Sequence, residues 1–292
     1  MENTQAAAVR MPCQPFLFDN FRTQAVRGNV MLIYVVYLLT GALGGIIIGA
    51  LGSGSSLAIL PVLSLIFPML FPEAISLQVA VATCMATLII GSASGALSYK
   101  KSQLYDVHLI KLCLPGVIAG AIIAPQLADA LSVHWLRWYI GLLILFIAIY
   151  KLTKSFRSHQ EVTKPIEPVL IIIMSIISST LSGLAGIALG ILMIPFLSRY
   201  SDHRTVLGTN LILAVPYAVI GSAGYIFSGL QSGHTGSNLM LGYVYLPAFL
   251  IISITMAIFP PIGLKLAKNV GIKVIQNVFY IYLLCIGIAI LL

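Results

Sequence analysis

The sequence is poor in charge: only 8% of its 292 residues are Asp, Glu, Lys or Arg, whereas soluble domains carry about 25%. Hydrophobic residues make up 59% of the chain and the mean hydropathy is +1.03. This excludes an ordinary soluble domain and predicts an all-α polytopic protein of the lipid bilayer. The net charge of +8 does not indicate a nucleic-acid partner, because the Lys and Arg residues lie in short loops between apolar runs.

The sequence also lacks the groups that catalysis or metal binding would need inside a membrane. No Asp, Glu, Lys or Arg falls in the middle of an apolar run, and all five histidines lie in loops or at the edges of runs. The four cysteines are scattered without metal-ligand or redox spacing. We therefore expect no enzyme, no cofactor, no metal site and no relay of buried carboxylates. What remains at depth is Gly, Ser, Thr, Asn and backbone.

A membrane-spanning helix needs about 20 apolar residues, and the apolar runs predict ten helical segments. These are 30–51, 57–71, 74–99, 107–128, 134–152, 168–184, 187–199, 204–229, 240–264 and 271–292. The second and the seventh segments are short. Each follows a Gly- or Ser-rich break and carries a proline, Pro61 or Pro195.

These prolines reveal a duplication. GALGSGSSLAILP (Gly49–Pro61) aligns with GLAGIALGILMIP (Gly183–Pro195), and ATC (Ala82–Cys84) aligns with GTN (Gly208–Asn210). The shared order continues with Gly95 and Tyr99 over Gly221 and Tyr225, and with Pro125 over Pro261. The pattern predicts two repeats of five segments each, covering 30–152 and 168–292, after an N-terminal tail of 1–29 and with a linker of 153–167.

Because each repeat has an odd number of segments, the two repeats should be inverted. The charges agree, since each loop that is basic in one repeat lacks that bias in the other. The positive-inside rule places 100–106, 153–167, 199–204 and 265–273 in the cytoplasm. Because successive segments cross in alternating directions, the N-terminus then lies outside, although the tail carries Arg10, Arg22 and Arg27. A re-entrant hairpin of the first two segments, or a translation start at Met31, are open alternatives.

Inverted repeats with interrupted helices are typical of transporters, whose sites lie near the midplane. The first break, Gly52–Ser56, supplies serine hydroxyls and a helix N-terminus, which together favour an anion without a cationic side chain. Thr83, Thr209 and Asn210 are expected to face it. Small residues also serve close packing between membrane helices. The candidate binding residues are Gly52, Ser53, Gly54, Ser55, Ser56, Thr83, Cys84, Gly186, Gly208, Thr209 and Asn210; packing is the favoured role of Cys84.

The repeated Gly-rich turn before a proline, the Ala-Thr-Cys and Gly-Thr-Asn motifs, and the Gly-x3-Tyr beyond each resemble the sulfite exporter (TauE/SafE) family over roughly 30–292. The resemblance implies a bacterial inner-membrane permease for small sulfur oxyanions or organosulfonates. The family's turn reads Gly-x-Gly-Gly-Gly, whereas here the first copy, 52–56, has serines in place of two glycines. The second copy, 186–190, looks more compatible with a helix, so we expect the first break to be the more open one.

Three functions follow from these features. The first is a secondary transporter, an exporter of a small anion such as sulfite. The second is a permease for a neutral or zwitterionic solute, such as an amino acid or a thiol compound. The third is a non-transporting sensor or assembly protein, which the short internal loops disfavour. The expected partners of the anion transporter are the small-molecule anion and the lipid bilayer, and the protein could also form a homo-oligomer.

Overall fold

The computed structural model describes residues 18–51, 53–101, 103–154, 167–232, 239–270 and 272–291. The helices are α1 (Phe18–Leu51), α2 (Ser55–Leu70), α3 (Glu73–Lys101), α4 (Val107–Ala130), α5 (Val133–Lys154), α6 (Pro168–Leu184), α7 (Gly190–Leu197), α8 (His203–Gln231), α9 (Leu246–Ile258), α10 (Pro260–Val270) and α11 (Ile272–Leu291). Strands β1 (Met240–Leu241) and β2 (Val244–Tyr245) form one small antiparallel hairpin. The all-α architecture is confirmed.

Five helical stretches are long and apolar enough to cross a membrane: Met31–Leu51, Glu73–Lys101, Val107–Ala130, Val133–Tyr150 and Arg204–Gln231. Shorter apolar helices accompany them at Ser55–Leu70, Pro168–Leu184, Leu246–Ile258 and Val274–Ile288. Helix α1 begins at Phe18, twelve residues before the predicted start of the first segment, within the stretch predicted as tail. The predicted seventh segment shrinks to the eight residues of α7.

The ninth predicted segment, 240–264, was wrong as one continuous helix. Its first residues form the β1–β2 hairpin, where Gly242 adopts a φ of +57° that glycine tolerates best. Helix α9 then ends at Ile258 and α10 begins at Pro260. Proline cannot donate the hydrogen bond that would continue α9, and it disfavours helical conformation at the residue before it.

Helices α1 and α2 form an antiparallel hairpin, so the chain enters α1 and leaves α2 at the same end of the molecule. The Tyr245 ring packs edge-on against Phe67 and Phe71 at the end of α2, and Gly41 of α1 packs against Ile252 of α9, the helix that Tyr245 precedes. Helix α3 begins just beyond, where Glu73 lies 3.6 Å from Arg137 of α5. We call this the Glu73 end. The first two predicted segments therefore form an antiparallel hairpin, of which the α1 stretch Met31–Leu51 is long enough to cross a membrane.

Helix α3 runs from the Glu73 end to the opposite one, which we call the basic end because Lys100, Lys101 and Arg204 lie there. Helix α8 starts at the basic end, where its Gly208 packs against Tyr99 of α3, and runs back. At its far end Tyr243 donates a hydrogen bond to Ser232 at 3.1 Å. The two long helices are therefore antiparallel and pack against each other at the centre of the bundle.

Equivalent helix pairs in the two halves pack against each other at equivalent residues. Helix α1 lies against α9 and α10, while α6 lies against α4. Six glycines lie so close to the facing helix that a Cβ would collide with it. The matched contacts are Gly41 with Ile252, Gly45 with Met256, Gly49 with Pro260, and in the other helix pair Gly116 with Ser175, Gly120 with Ser179, Gly183 with Ala124. Small residues allow such close approach of membrane helices. The alignment of Gly49 with Gly183 and of Pro125 with Pro261 thus corresponds to equivalent contacts.

Replacing Gly49 with alanine should destabilise this packing. A Cβ at Gly49 would contact the carbonyl oxygen of Pro260 and lie 2.8 Å from its Cα, and this backbone cannot move without shifting α10. We expect a loss of about 1–2 kcal/mol, the usual cost of overpacking, measured as a lower melting temperature in detergent. Gly95→Ala is the control, because its Cβ would meet only the Leu211 side chain, at 3.0 Å and beyond. Equal melting of the two variants would contradict the prediction.

Candidate functional site

The first hairpin turns between the end of α1 at Leu51 and the start of α2 at Ser55. Gly52 lies outside the described residues, while Gly54 caps α2 with a φ of +98°. Glycine has no Cβ and adopts this left-handed conformation without strain. The carbonyl of Gly54 accepts a hydrogen bond from Leu57 N–H at 3.1 Å. The first N–H groups of α2 thus point into the turn, where Ser53 and Ser55 also lie.

The second hairpin, α6–α7, turns through 185–189. Ile187 N–H donates to the carbonyl of Ser182 at 2.9 Å, and Gly186 N–H donates to that of Gly183 at 3.0 Å. With Gly186 at a φ of +62°, these two bonds form a Schellman motif, which ends a helix. The expectation that the second break is closer to a continuous helix was therefore wrong: it separates α6 from α7 by five residues. The isolated glycine, rather than a Gly-rich run, produces the break.

The two hairpin tips touch each other. The backbone N–H of Ala188, in the second tip, donates to Ser56 Oγ, in the first, at 2.8 Å. Tyr217 of α8 holds the second tip by donating its hydroxyl to the carbonyl of Ile187 at 2.9 Å. Tyr225, two turns further along α8, does the same at the carbonyl of Gly183, also at 2.9 Å. Two segments that are 132 residues apart in sequence are thereby joined inside the bundle.

Beside this junction lies a cavity of about 30 Å³. Polar groups on its wall come from both halves of the chain: Ser53 and Ser55 at the first tip, Ser92 on α3, and Asn210 and Tyr217 on α8. The rest of the wall is apolar or backbone, from Ile48, Gly54, Leu88, Gly91, Ala188, Leu189, Leu211 and Ala214. No Asp, Glu, Lys or Arg occurs among the described residues that line it.

Asn210 stands out on this wall. It is 2% exposed, its Oδ1 has no hydrogen-bond partner, and its amide nitrogen lies against Gly190 at the start of α7. A buried polar atom without a partner carries a desolvation cost, and such atoms are uncommon in folded proteins. Asn210 Oδ1 is thus an unused hydrogen-bond acceptor on a residue that lines the cavity.

Several predicted site residues lie near the tips but not on the cavity wall. Thr83 Oγ1 accepts a hydrogen bond from Tyr245 N–H at 3.1 Å, and Thr209 Oγ1 accepts one from Asp106 N–H at 2.9 Å. Cys84 is buried with its sulfur 3.8 Å from the Ser56 carbonyl oxygen. Two other glycines of the predicted site, Gly186 and Gly208, pack against the backbone of other segments. Gly186 lies against Val81, and Gly208 lies against Leu104.

Sequence reasoning missed Tyr217 and Ser92, which both line the cavity. Tyr217 was detectable in principle, because a tyrosine inside an apolar segment needs a hydrogen-bond partner for its hydroxyl. Nothing local in the sequence distinguishes Ser92 from Ser222, which lies on α8 and is buried without a hydrogen-bond partner.

The electrostatics of the cavity come from backbone and neutral side chains. The N-terminus of α2 carries a partial positive charge of about +0.5 and unpaired N–H groups. Serine hydroxyls and the Asn210 amide add donors that can rotate. Such a site can hold a small polar or anionic solute and release it, and it offers no nucleophile with a general base. Among the described residues, no group of three His, Cys, Asp or Glu could hold a metal ion.

Broken helices that meet inside a polytopic bundle, beside a small and mostly apolar cavity with a few polar groups on its wall, are typical of a membrane transporter. The comparison with known families agrees: the chain belongs to the sulfite exporter TauE/SafE family, whose model matches residues 37–290. A protein of Haemophilus influenzae described as a probable membrane transporter protein is 26% identical over 257 residues, covering 86% of this chain and 95% of that protein. No solved structure matches the chain.

Proposed function

We propose that this protein is a secondary transporter that exports a small anion of the sulfur oxyanion or organosulfonate class, such as sulfite, bound between the two hairpin tips. The family description supports the substrate class. The observation that carries the proposal is the cavity on which the α2 N-terminus, Ser53, Ser55 and Asn210 converge. Residues 30–152 and 168–292 act as the two inverted repeats, joined by the linker 153–167.

The donors in this site suit an anion that must bind and leave. A helix N-terminus and hydroxyls bind oxyanions, while a buried Lys or Arg would hold them more tightly. The described cavity is about 30 Å³, space for about two water molecules at the ~10–15 Å³ that each requires, so it must widen before an oxyanion enters. The tips meet through the Ser56 hydrogen bond, and their separation would provide that space.

The membrane potential can drive the export. An inside-negative potential is worth about 2.3 kcal/mol per charge per 100 mV, so an anion leaves the cell without a coupled proton. The positive-inside rule puts the basic end, with Lys100, Lys101 and Arg204, in the cytoplasm of a bacterial inner membrane. The relative from a bacterium is consistent with that location. The transporter would act in the bilayer as a monomer or a homo-oligomer.

A neutral or zwitterionic solute is the second candidate, and Asn210 favours it. The unpartnered Oδ1 is an acceptor, and a fully ionised oxyanion has no proton to donate to it. A solute with its own N–H or O–H group would satisfy this atom, and the mostly apolar wall of the cavity would tolerate a carbon skeleton.

Flux into proteoliposomes separates these candidates. Sulfite, thiosulfate, sulfoacetate and sulfate are offered under an imposed potential, with protein-free liposomes as the control. We expect faster uptake of at least one anion into liposomes that are positive inside, together with an electrical current. Equal rates with and without protein for all four anions would refute the anion proposal, whereas electrically silent uptake of an amino acid would favour the second candidate.

A further inference from the structure

Two threonines make the same contact in the two halves of the molecule. Thr83 on α3 and Thr209 on α8 align in the sequence duplication, and both are fully buried, with 0% exposure. Each hydroxyl oxygen accepts a backbone hydrogen bond from the other half: from Tyr245 N–H for Thr83, and from Asp106 N–H for Thr209. The bonds measure 3.1 and 2.9 Å.

The two donors occupy equivalent places as well. Tyr245 is the N-cap residue of α9, and Asp106 is the N-cap residue of α4. Each is the last residue of the connection that follows a long central helix, α8 or α3. Each threonine therefore fixes the start of a helix of the other half, at a backbone N–H that has no acceptor within that helix.

The two bonds flank the cavity on opposite sides. On α3 the cavity is lined by Leu88, Gly91 and Ser92, and Thr83 precedes Leu88 by five residues, about 7.5 Å, toward the Glu73 end. On α8 the lining begins at Asn210, and Thr209 precedes it directly, toward the basic end. Because α3 and α8 are antiparallel, one threonine stands on each side of the cavity.

We propose that Thr83 and Thr209 are the two gate residues of the transport cycle: the Thr83–Tyr245 bond closes the cavity toward the Glu73 end, the Thr209–Asp106 bond closes it toward the basic end, and each opens while the other holds. The proposal rests on the transport site between the hairpin tips. In an inverted-repeat carrier, one half rocks against the other around a fixed site, and these bonds join the two halves at the start of α9 and of α4. The described structure has both gates closed.

The gate proposal can be tested without a substrate, by measuring how fast a cysteine in the cavity is labelled from each side of the membrane. Ser53→Cys is placed in a chain whose own four cysteines are replaced by alanine, and a membrane-impermeant maleimide is added to one side of sealed vesicles. Glu73→Cys and Lys101→Cys mark the two sides. We expect Thr83→Val to speed labelling from the Glu73 end about fivefold, and Thr209→Val to do so from the basic end, as the loss of one neutral hydrogen bond would shift the populations.

Matched variants separate a gate from a structural bond. Thr87, one turn from Thr83 and equally buried, donates to the Cys84 carbonyl of its own helix at 2.7 Å, so Thr87→Val should leave both labelling rates unchanged. Thr83→Ser and Thr209→Ser keep the acceptor and should restore the parent rates. Alanine replaces valine if a valine variant is not recovered from the membrane.

The opposite outcomes are equally clear. Unchanged labelling in the two valine variants, or the same change from both sides in each, would overturn the proposal and leave the threonines as structural contacts. Because labelling needs no transported solute, a failure of anion flux alone would refute the proposed substrate and leave the gates standing.

Discussion

Replacing Ser53 and Ser55 together with alanine should lower solute flux at least tenfold while the protein still inserts and folds. Both residues line the cavity beside the N-terminus of α2, and a hydrogen bond to a charged group is worth about 1.5–3 kcal/mol. Two such bonds lost from the bound solute should therefore remove most of the transport. Initial rates in proteoliposomes, normalised to the amount of folded protein, measure the effect.

Two further serines of α2, Ser64 and Ser56, provide comparison variants. Ser64 on α2 donates to the Pro61 carbonyl of its own helix at 2.8 Å, so Ser64→Ala should transport normally. Ser56→Ala should act on stability, with a loss of about 1 kcal/mol, because its hydroxyl binds Ala188 N–H at the tip junction. Parent-like flux in the Ser53/Ser55 double variant would reduce the first turn to a packing element.

Replacing Gly186 with alanine should cost the protein about 3 kcal/mol of stability or more. A left-handed conformation costs an L-residue about 1–2 kcal/mol, and Gly186 has a φ of +62°. The new Cβ would also lie 2.7 Å from the carbonyl oxygen of Val81 on α3, and overpacking of this kind adds about 1–3 kcal/mol. We expect a sharp fall in the folded fraction after solubilisation, measured by size-exclusion chromatography and thermal melting.

Gly54→Ala separates the two contributions. Gly54 has a φ of +98°, but a Cβ there would meet its nearest atom, on the Phe279 ring, only at 3.5 Å. This variant therefore bears the conformational cost without the backbone collision, and it should melt between the parent and Gly186→Ala. If Gly186→Ala melts no lower than Gly54→Ala, the close contact with Val81 contributes nothing to the packing of the second tip.

The duplication was readable from the sequence because membrane packing restricts residue size at fixed positions. Gly49 and Gly183 align, and each lies against a small or proline residue of the other half, Pro260 or Ala124. Thr83 and Thr209 also align, but their role was predicted differently: as hydroxyl donors facing a ligand. A hydroxyl serves a ligand or a backbone N–H equally well, and its choice depends on which chain segment lies beside it.

The openness of the breaks was mispredicted for a related reason. A run of glycine and serine was expected to open the helix more than Gly186–Gly190 would. The Schellman motif at Ser182–Ile187 requires only one residue in the left-handed conformation, so a single glycine suffices. The division of the ninth segment at Pro260 follows the same logic, because local hydrogen bonding ends a helix where hydropathy continues.

The sequence by itself determined that this is an all-α membrane protein made of two similar halves, because hydropathy, charge placement and small-residue spacing are properties of single segments. Only the tertiary structure decided that α1–α2 and α6–α7 are hairpins whose tips touch through Ser56 and Ala188. It alone placed Asn210 on the cavity wall and bound Thr83 and Thr209 to the opposite halves. These contacts join residues more than 100 positions apart, and long-range pairing of polar groups leaves no periodic trace in a sequence.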